Sequence, residues 1–399
     1  MKKARIGIDC LFAIPGKTSG TWAFARNLLE ELLAVDTENE YFVFLNRQAA
    51  DDFPVRRPNL HLVESRLVGS SVARRLVYQN SILPFLLKRH SLDLLHCLGN
   101  YGPVFPLLPL VVTVHDVTWF FDRECEPGRI SSGRTAAVDF LLRRSLRRAN
   151  RIIVDSEFTR RQLVARYAYA SSKTTVVYLG LPRREKVCVQ EVEERLRGYR
   201  IRRPYLVAVG LYLPHKNIGR LIEAFARIKR EAQIPHQLVL VGSLELNREN
   251  LLRAVRQAGV EEDVVFTGFV PDEILTGIYE AADVVVCPSM MEGFGLPLLE
   301  AFANRVPAVC SNAASLPEIA GDAALMFDPL SVEDMARAIL EVLRDPPLRS
   351  TLVTRGLKRA QDFSFHRAAK ETLALYQQIL GLGRERGESA NPPAGAWRR

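Results

Sequence analysis

Met290-Met291-Glu292-Gly293-Phe294-Gly295-Leu296-Pro297-Leu298-Leu299-Glu300-Ala301-Phe302 is the stretch whose reading decides the fold of this 399-residue chain. It follows Val284 to Val286, an apolar β-branched run that predicts a buried parallel strand. Two glycines around one aromatic let the backbone turn sharply. Pro297 suits the first position of a helix, where a missing N–H costs little. The stretch therefore predicts a loop between the carboxyl end of a strand and the start of a helix, the place where open α/β sheets bind ligands. Glu300 is expected in the first turn of that helix and Glu292 in the loop, so that two carboxylates and several free N–H groups face one crevice. A Glu in a first turn also simply complements the helix dipole, and Gly-Phe-Gly is often only a turn. Spacing alone leaves a polyol or nucleotide site and a plain turn equally open.

The surrounding sequence repeats the pattern. Tyr205–Gly210, Leu238–Gly242, Val264–Phe266, Val284–Cys287, Ala308–Cys310 and Leu325–Phe327 read as strands with helices alternating between them, as in a doubly wound sheet. After the first of these comes His215-Lys216-Asn217, then a helix to about Lys229. Asn217 suits its N-cap. A cation such as Lys216 opposes the dipole there, costing a few tenths of a kcal/mol or more. An anion between lysine and helix would reverse that sign, so Lys216 is a candidate phosphate ligand.

The first half shows the same alternation. Ala4–Cys10, Tyr41–Leu45, Leu92–Cys97, Leu110–Val114, Ile152–Asp155 and Thr174–Tyr178 are the expected strands. Gly20 is expected at the start of a helix from Trp22 to Leu33, where exposed N–H groups favour an anion. No Gly-Lys-Ser/Thr closes that loop, so it is not a Walker loop. His115-Asp116 falls at another strand's carboxyl end, again in the crevice. Trp119, Phe120 and Phe121 beside it would platform a sugar or pack as core.

Length allows two domains of ordinary size. An apolar content of 48% and a charged content of 25% fit a soluble globular protein. No uncharged apolar run reaches roughly 18 residues, so no spanning helix is expected. The basic start mimics a signal peptide until Asp9 and Pro15-Gly16-Lys17 interrupt it. Six cysteines without Cys-x-x-Cys spacing argue against zinc and a disulfide framework, which fits a reducing cytoplasm. Charge is uneven: residues 1–180 hold 25 Lys+Arg against 17 Asp+Glu, nearly all of the net +9. Clusters such as Arg74-Arg75, Lys88-Arg89 and Arg143-Arg144 read as solvated helix faces, or as a surface attracting anionic headgroups or a diphosphate-linked acceptor. No nucleic-acid module accompanies them, so nucleic acid is not an expected partner.

Glu292-Gly-Phe-Gly-Leu-Pro-Leu-Leu-Glu300, with Pro307-Ala-Val-Cys-Ser311 and Leu316-Pro-Glu-Ile-Ala-Gly-Asp-Ala-Ala324, resembles the retaining nucleotide-sugar glycosyltransferases of family 4, also called group 1. The resemblance is close over residues 200–380 and looser before them. It implies an α/β protein of GT-B architecture, two Rossmann-like doubly wound domains facing each other across a cleft. The expected division is an acceptor-side domain at 1–180, a linker at 181–203, a nucleotide-sugar domain at 204–364, a helix at 365–381 crossing back to the first domain, and a disordered tail at 382–399.

The resemblance also implies roles. Glu300 would accept hydrogen bonds from ribose hydroxyls, a charge-assisted arrangement. Glu292, Gly293 and the N–H groups of Phe294 and Gly295 would hold the transferred sugar. Lys216, with His215 and the Gly20 backbone, would stabilise the leaving diphosphate. The backbone at Val270 would lie against the base, and His115 and Asp116 beside the transferred sugar and acceptor. Two departures stand out: the Ser19-Gly20-Thr21 loop has fewer glycines than the family's, and Leu211 stands where a polar or basic residue often follows the glycine. No Asp-x-Asp cluster suggests a bound metal, and no cofactor beyond the donor substrate is expected. The expected reaction moves a hexose, mannose-type favoured, to a glycan or lipid-linked oligosaccharide from the cytoplasmic side, with peripheral contact to an anionic membrane. The alternatives are a nucleotide-sugar 2-epimerase and a non-catalytic nucleotide-sugar-binding protein.

Overall fold

In a computed structural model, residues 3–13, 19–51, 53, 55–65, 72–117, 132–181, 194, 196–243 and 247–381 are described. The proposed tail at 382–399, most of the linker, and Trp119, Phe120 and Phe121 lie outside the described residues.

Seven strands form the first sheet: β1 (Arg5–Asp9), β2 (Glu40–Asn46), β3 (Leu60–Ser65), β4 (Leu94–Cys97), β5 (Leu110–Val114), β6 (Arg151–Val154) and β7 (Thr174–Val176). Their spatial order is β3-β2-β1-β4-β5-β6-β7, and every pairing is parallel. Six strands form the second: β8 (Tyr205–Val209), β9 (Gln237–Val241), β10 (Val264–Gly268), β11 (Val284–Cys287), β12 (Ala308–Ser311) and β13 (Ala324–Phe327). They run β10-β9-β8-β11-β12-β13, also parallel throughout. Both sheets thus have the doubly wound order, with the direction of winding reversing beside β1 and β8. The crevice that opens at such a reversal is where ligands bind.

The central strands are buried end to end, which is why their sequences read as unbroken apolar runs. β3 escaped sequence reading for the opposite reason. It is an edge strand, mostly half-buried, and His61 and Glu64 break up its apolar residues. Only pairing with β2 identifies it.

The two halves do not stand apart. The helix Phe365–Leu380 packs against the helix Ser19–Val35 of the first half. The Tyr376 hydroxyl meets His96 Nδ1 at 2.6 Å, and Thr113 Oγ1 meets Nε2 at 2.7 Å. Burial drives the His96 pKa down to about 3, so this ring is neutral and serves structure. One apolar cluster draws Ile8 and Leu28 from the first half together with Val207, Phe302 and Phe365 from the second. Each fully buried side chain of that size contributes about 1.5–3 kcal/mol. The crevice between the sheets is therefore floored by shared core. Among the described residues, no helix is long and apolar enough to cross a membrane.

Candidate active site

The loop after β11 and the helix Leu296–Ala303 form the second-half wall of the crevice. Gly295 precedes the helix at φ +114°, a conformation that side chains rarely adopt, and a Cβ there would also meet Leu316 Cδ2 at 2.9 Å. Pro297 is the second helical residue, not the first. Glu300 consequently falls in the second turn, beyond reach of the helix-start dipole expected to explain it. It is buried, and its Oε2 accepts a 2.7 Å hydrogen bond from the Tyr279 hydroxyl.

Lys216 ends a single 3₁₀ turn, Pro214–Lys216, immediately before the helix Ile218–Ala232. Its Nζ stands 2.5 Å from Glu292 Oε2. Both side chains are mostly buried, so their attraction is less screened than in a surface pair. Lys216, Glu292 and Gly295 line a narrow recess with Gly210, Tyr212 and Pro288, between β8 and β11. His215 is buried beside it, and its carbonyl accepts from Met290 N, fastening the two ligand loops together. Asn217 does not cap its helix as expected. It sits at φ +59°, and its side-chain amide donates instead to the carbonyls of Pro288 and Pro329. The amide thus holds the lysine loop against the loops that follow β11 and β13.

Other expected residues are placed differently. Val270 is buried core, while Phe269 before it is 57% exposed. The Phe294 ring is buried between Tyr178 and Phe363. Leu211 is exposed. Gly20 is exposed on the second residue of its helix with open space where a Cβ would stand, and residues 14–18 before it lie outside the described residues. Among the described residues no three His, Cys, Asp or Glu side chains are grouped to hold a metal ion.

Across the crevice, the first half touches the glycine loop directly. A Cβ on Gly293 would lie 2.1 Å from the His115 carbonyl oxygen and 3.0 Å from Asp116 Cβ, so only glycine fits. The Gly293 carbonyl accepts from Ser156 Oγ at 2.7 Å and Thr159 Oγ1 at 3.1 Å. Ser315 Oγ contacts the carbonyls of Glu292 at 3.0 Å and Phe294 at 2.8 Å, fixing the loop from behind. Ser156, Thr159, Ser315 and Tyr279 were not foreseen as contributors. Ser315 directly precedes the Leu316-Pro-Glu run that carried the resemblance, and Ser156 follows the strand expected to end at Asp155, but nothing in the sequence named their partners.

His115 itself faces oxygen on both sides. Nδ1 lies 2.7 Å from Asp155 Oδ2, and Nε2 lies 2.8 Å from the Leu98 carbonyl. A ring protonated on both nitrogens satisfies both contacts as donor. Burial resists that charge most strongly, but Asp155, the Leu98 carbonyl and Asp116 together lift its pKa above the usual histidine value. Burial in turn holds the Asp155 carboxyl above the usual carboxylate range, with His115 offsetting only part of the rise. With both nitrogens engaged, His115 meets the crevice through its backbone, not its ring.

Residues 193–359 match the family described as glycosyl transferases group 1, and residues 18–184 match glycosyltransferase family 4. The chain belongs to this family and is a glycosyltransferase of GT-B fold. It is 32% identical over 274 residues to the O-antigen chain mannosyltransferase B of Escherichia coli, covering 67% of this chain and 70% of that protein. It is 27% identical over 311 residues to the MMP alpha-(1->4)-mannosyltransferase of Mycolicibacterium hassiacum, covering 73% and 72%. Among solved structures, sucrose-phosphate synthase from Thermosynechococcus elongatus superposes with a TM-score of 0.74 at 21% identity, covering 96% of this chain and 100% of that one. HepE of Anabaena, solved with UDP and glucose, gives 0.71 at 18% identity, covering 94% and 100%.

Two outcomes are expected from this geometry. Gly293→Ala will force the loop away from His115 and lower turnover on the order of 100-fold, since a displacement near 1 Å suffices for that; steady-state kinetics on a folded variant, checked by circular dichroism, decides it. The His115 pKa is raised on folding, so its stabilising contribution is complete below the unfolded value near 6.5 and fades as pH rises through the folded value. Melting temperature in the wild type will therefore fall more than in His115→Gln as pH rises through that window, and long-range ¹H–¹⁵N spectra at about pH 6, below the unfolded value, will show both ring nitrogens protonated.

Proposed function

We propose that this enzyme transfers a hexose, mannose favoured, from a nucleotide diphosphate sugar to a hydroxyl of a glycan or lipid-linked oligosaccharide, with retention of anomeric configuration. The observation that carries this reading is the Lys216–Glu292 pair in the recess at the β8/β11 reversal. Each member is placed to exchange its partner for part of one ligand: anionic oxygens for the lysine, sugar hydroxyls for the glutamate. The mannosyltransferase relatives support the choice of sugar.

In this reading Lys216 neutralises charge growing on the leaving diphosphate, with the His215 loop and the start of the Gly20 helix as neighbours. Glu300, oriented by Tyr279, takes the ribose diol. The Val270 backbone borders the base, and the N–H groups of Phe294 and Gly295 assist Glu292. His115 and Asp116 border the acceptor side, where the leaving phosphate takes the acceptor's proton in a same-face substitution. Lysine supplies the cationic stabilisation for which other transferases use a metal, so the reaction is proposed to run without one.

A partner surface accompanies this. Helices Val72–Ser81 and Leu83–Arg89 expose Val77, Ile82 and Phe85 between Arg74 and Lys88-Arg89. Asn80 Oδ1 accepts from Val104 N, bringing up the loop that bears exposed Phe105 and Leu107. The Arg144 guanidinium lies 5.9 Å from the Phe105 ring and 5.7 Å from exposed Phe140. Exposed aromatics among arginines suit the headgroup region of an anionic membrane, at roughly 1 kcal/mol per basic residue near the surface.

Lys216→Ala and Glu300→Ala, made separately, will each reduce transfer from GDP- or UDP-hexoses by about 100- to 1000-fold while the protein remains folded by circular dichroism, and chelators will leave the wild-type rate unchanged. Full activity in either variant refutes the assigned role. In sedimentation with phosphatidylglycerol vesicles, Phe85→Glu/Phe105→Glu will bind about tenfold or more weakly than wild type, from charge repulsion and lost apolar contact. Equal sedimentation of the two proteins rejects this surface.

A further inference from the structure

The helix Glu157–Arg166 belongs to the first half, yet its N-terminus is completed by the second. Ser156 satisfies only Thr159 N, at 3.0 Å. The first two helical N–H groups, Glu157 and Phe158, donate to Glu318 Oε1 at 2.7 Å and Oε2 at 3.0 Å. Tyr178 adds a hydroxyl donor to Oε1 at 2.8 Å. Glu318 is 161 and 160 residues away in sequence from the two amides it receives. A carboxylate straddling two orphan N–H groups at the positive end of a helix is a charge-assisted cap. Here that cap exists only while the halves are together.

The backbone that carries this carboxylate is itself held. Arg359 donates through Nη2 to the Glu318 carbonyl at 2.7 Å and through Nε to the Ile319 carbonyl at 3.0 Å, with its guanidinium over the Phe363 ring. The same helix start carries Ser156 and Thr159, whose hydroxyls hold the Gly293 carbonyl. One helix N-terminus therefore grips the second half twice, at Glu318 and at the glycine loop next to Glu292.

We infer that Glu318 is an interdomain latch: a positioning residue that docks the Glu157–Arg166 helix and thereby sets the Gly293 loop against His115 in the closed crevice. This deepens the transferase reading and rests on it for its kinetic consequence, but not for its structural one. Burial and the Glu318 hydrogen bond both raise the Tyr178 pKa, so the hydroxyl stays protonated to close the latch.

The test compares Glu318→Ala, Glu318→Gln and Tyr178→Phe with wild type. Glu318→Ala should lower kcat by about tenfold or more while donor affinity, measured by calorimetry, moves less than about threefold, because Lys216, Glu292 and Glu300, the main donor groups in this reading, all lie on the second half. Glu318→Gln, keeping one acceptor oxygen, should recover part of the rate, and Tyr178→Phe should be milder still. Small-angle scattering should show a larger radius of gyration for Glu318→Ala. Amide exchange at Glu157 and Phe158 should speed up while the core of β8 and β11 stays protected. If Glu318→Ala fails to fold, the scattering and exchange of Glu318→Gln decide. Unchanged scattering and unchanged exchange in the folded variants overturn the latch. If wild type transfers no sugar, the catalytic reading falls, and these two measurements still judge the latch.

Discussion

The structure turns on a backbone contact with no room in it. Gly293 lies so close to the His115 carbonyl that any Cβ would overlap it. That contact joins the carboxyl end of β5 to the loop after β11, and so fixes the distance between the two walls of the crevice. The hydroxyls of Ser156 and Thr159 hold the Gly293 carbonyl from one side and Ser315 holds its neighbours from the other. A loop that needs glycine for its path has little stiffness of its own. Here its stiffness comes from the residues around it.

Electrostatics within the crevice follow from this geometry. Lys216 and Glu292 neutralise each other at 2.5 Å, which makes a partly buried charge on each tolerable without ligand. His115 and Asp155 form a second pair, on the opposite wall. The two pairs differ in use. The first lines the recess, where the proposed donor would replace either partner. The second is closed on itself, with both ring nitrogens committed, and its service is to hold the His115 backbone where Gly293 meets it.

The shared core explains why two sheets behave as one scaffold. Phe365 and Tyr376, near the end of the described chain, bury themselves with residues from β1 and the helix after it. The neutral His96 between Tyr376 and Thr113 locks that crossing without a buried charge. Against this fixed floor, the contacts at the rim, including Glu318 on its helix start, are the ones that can open.

Much of this was legible in the sequence, and the reason is local. Buried parallel strands read as apolar runs because both faces are covered, and loops at their carboxyl ends declared themselves by glycine and by charge. That yielded twelve of the thirteen strands among the described residues, the doubly wound class and the segments that carry Lys216, Glu292 and Glu300. Half-exposed β3 gave no such run. Helix phase also escaped: placing Glu300 in the second turn required the conformation of Gly295, which no residue count supplies. What only the tertiary structure decided are the partners across distance, Glu292 for Lys216, Tyr279 for Glu300, Glu318 for the Glu157 helix and His115 for Gly293. Sequence determines what each residue can offer a neighbour, but which neighbour receives it depends on how two separately wound sheets are brought face to face.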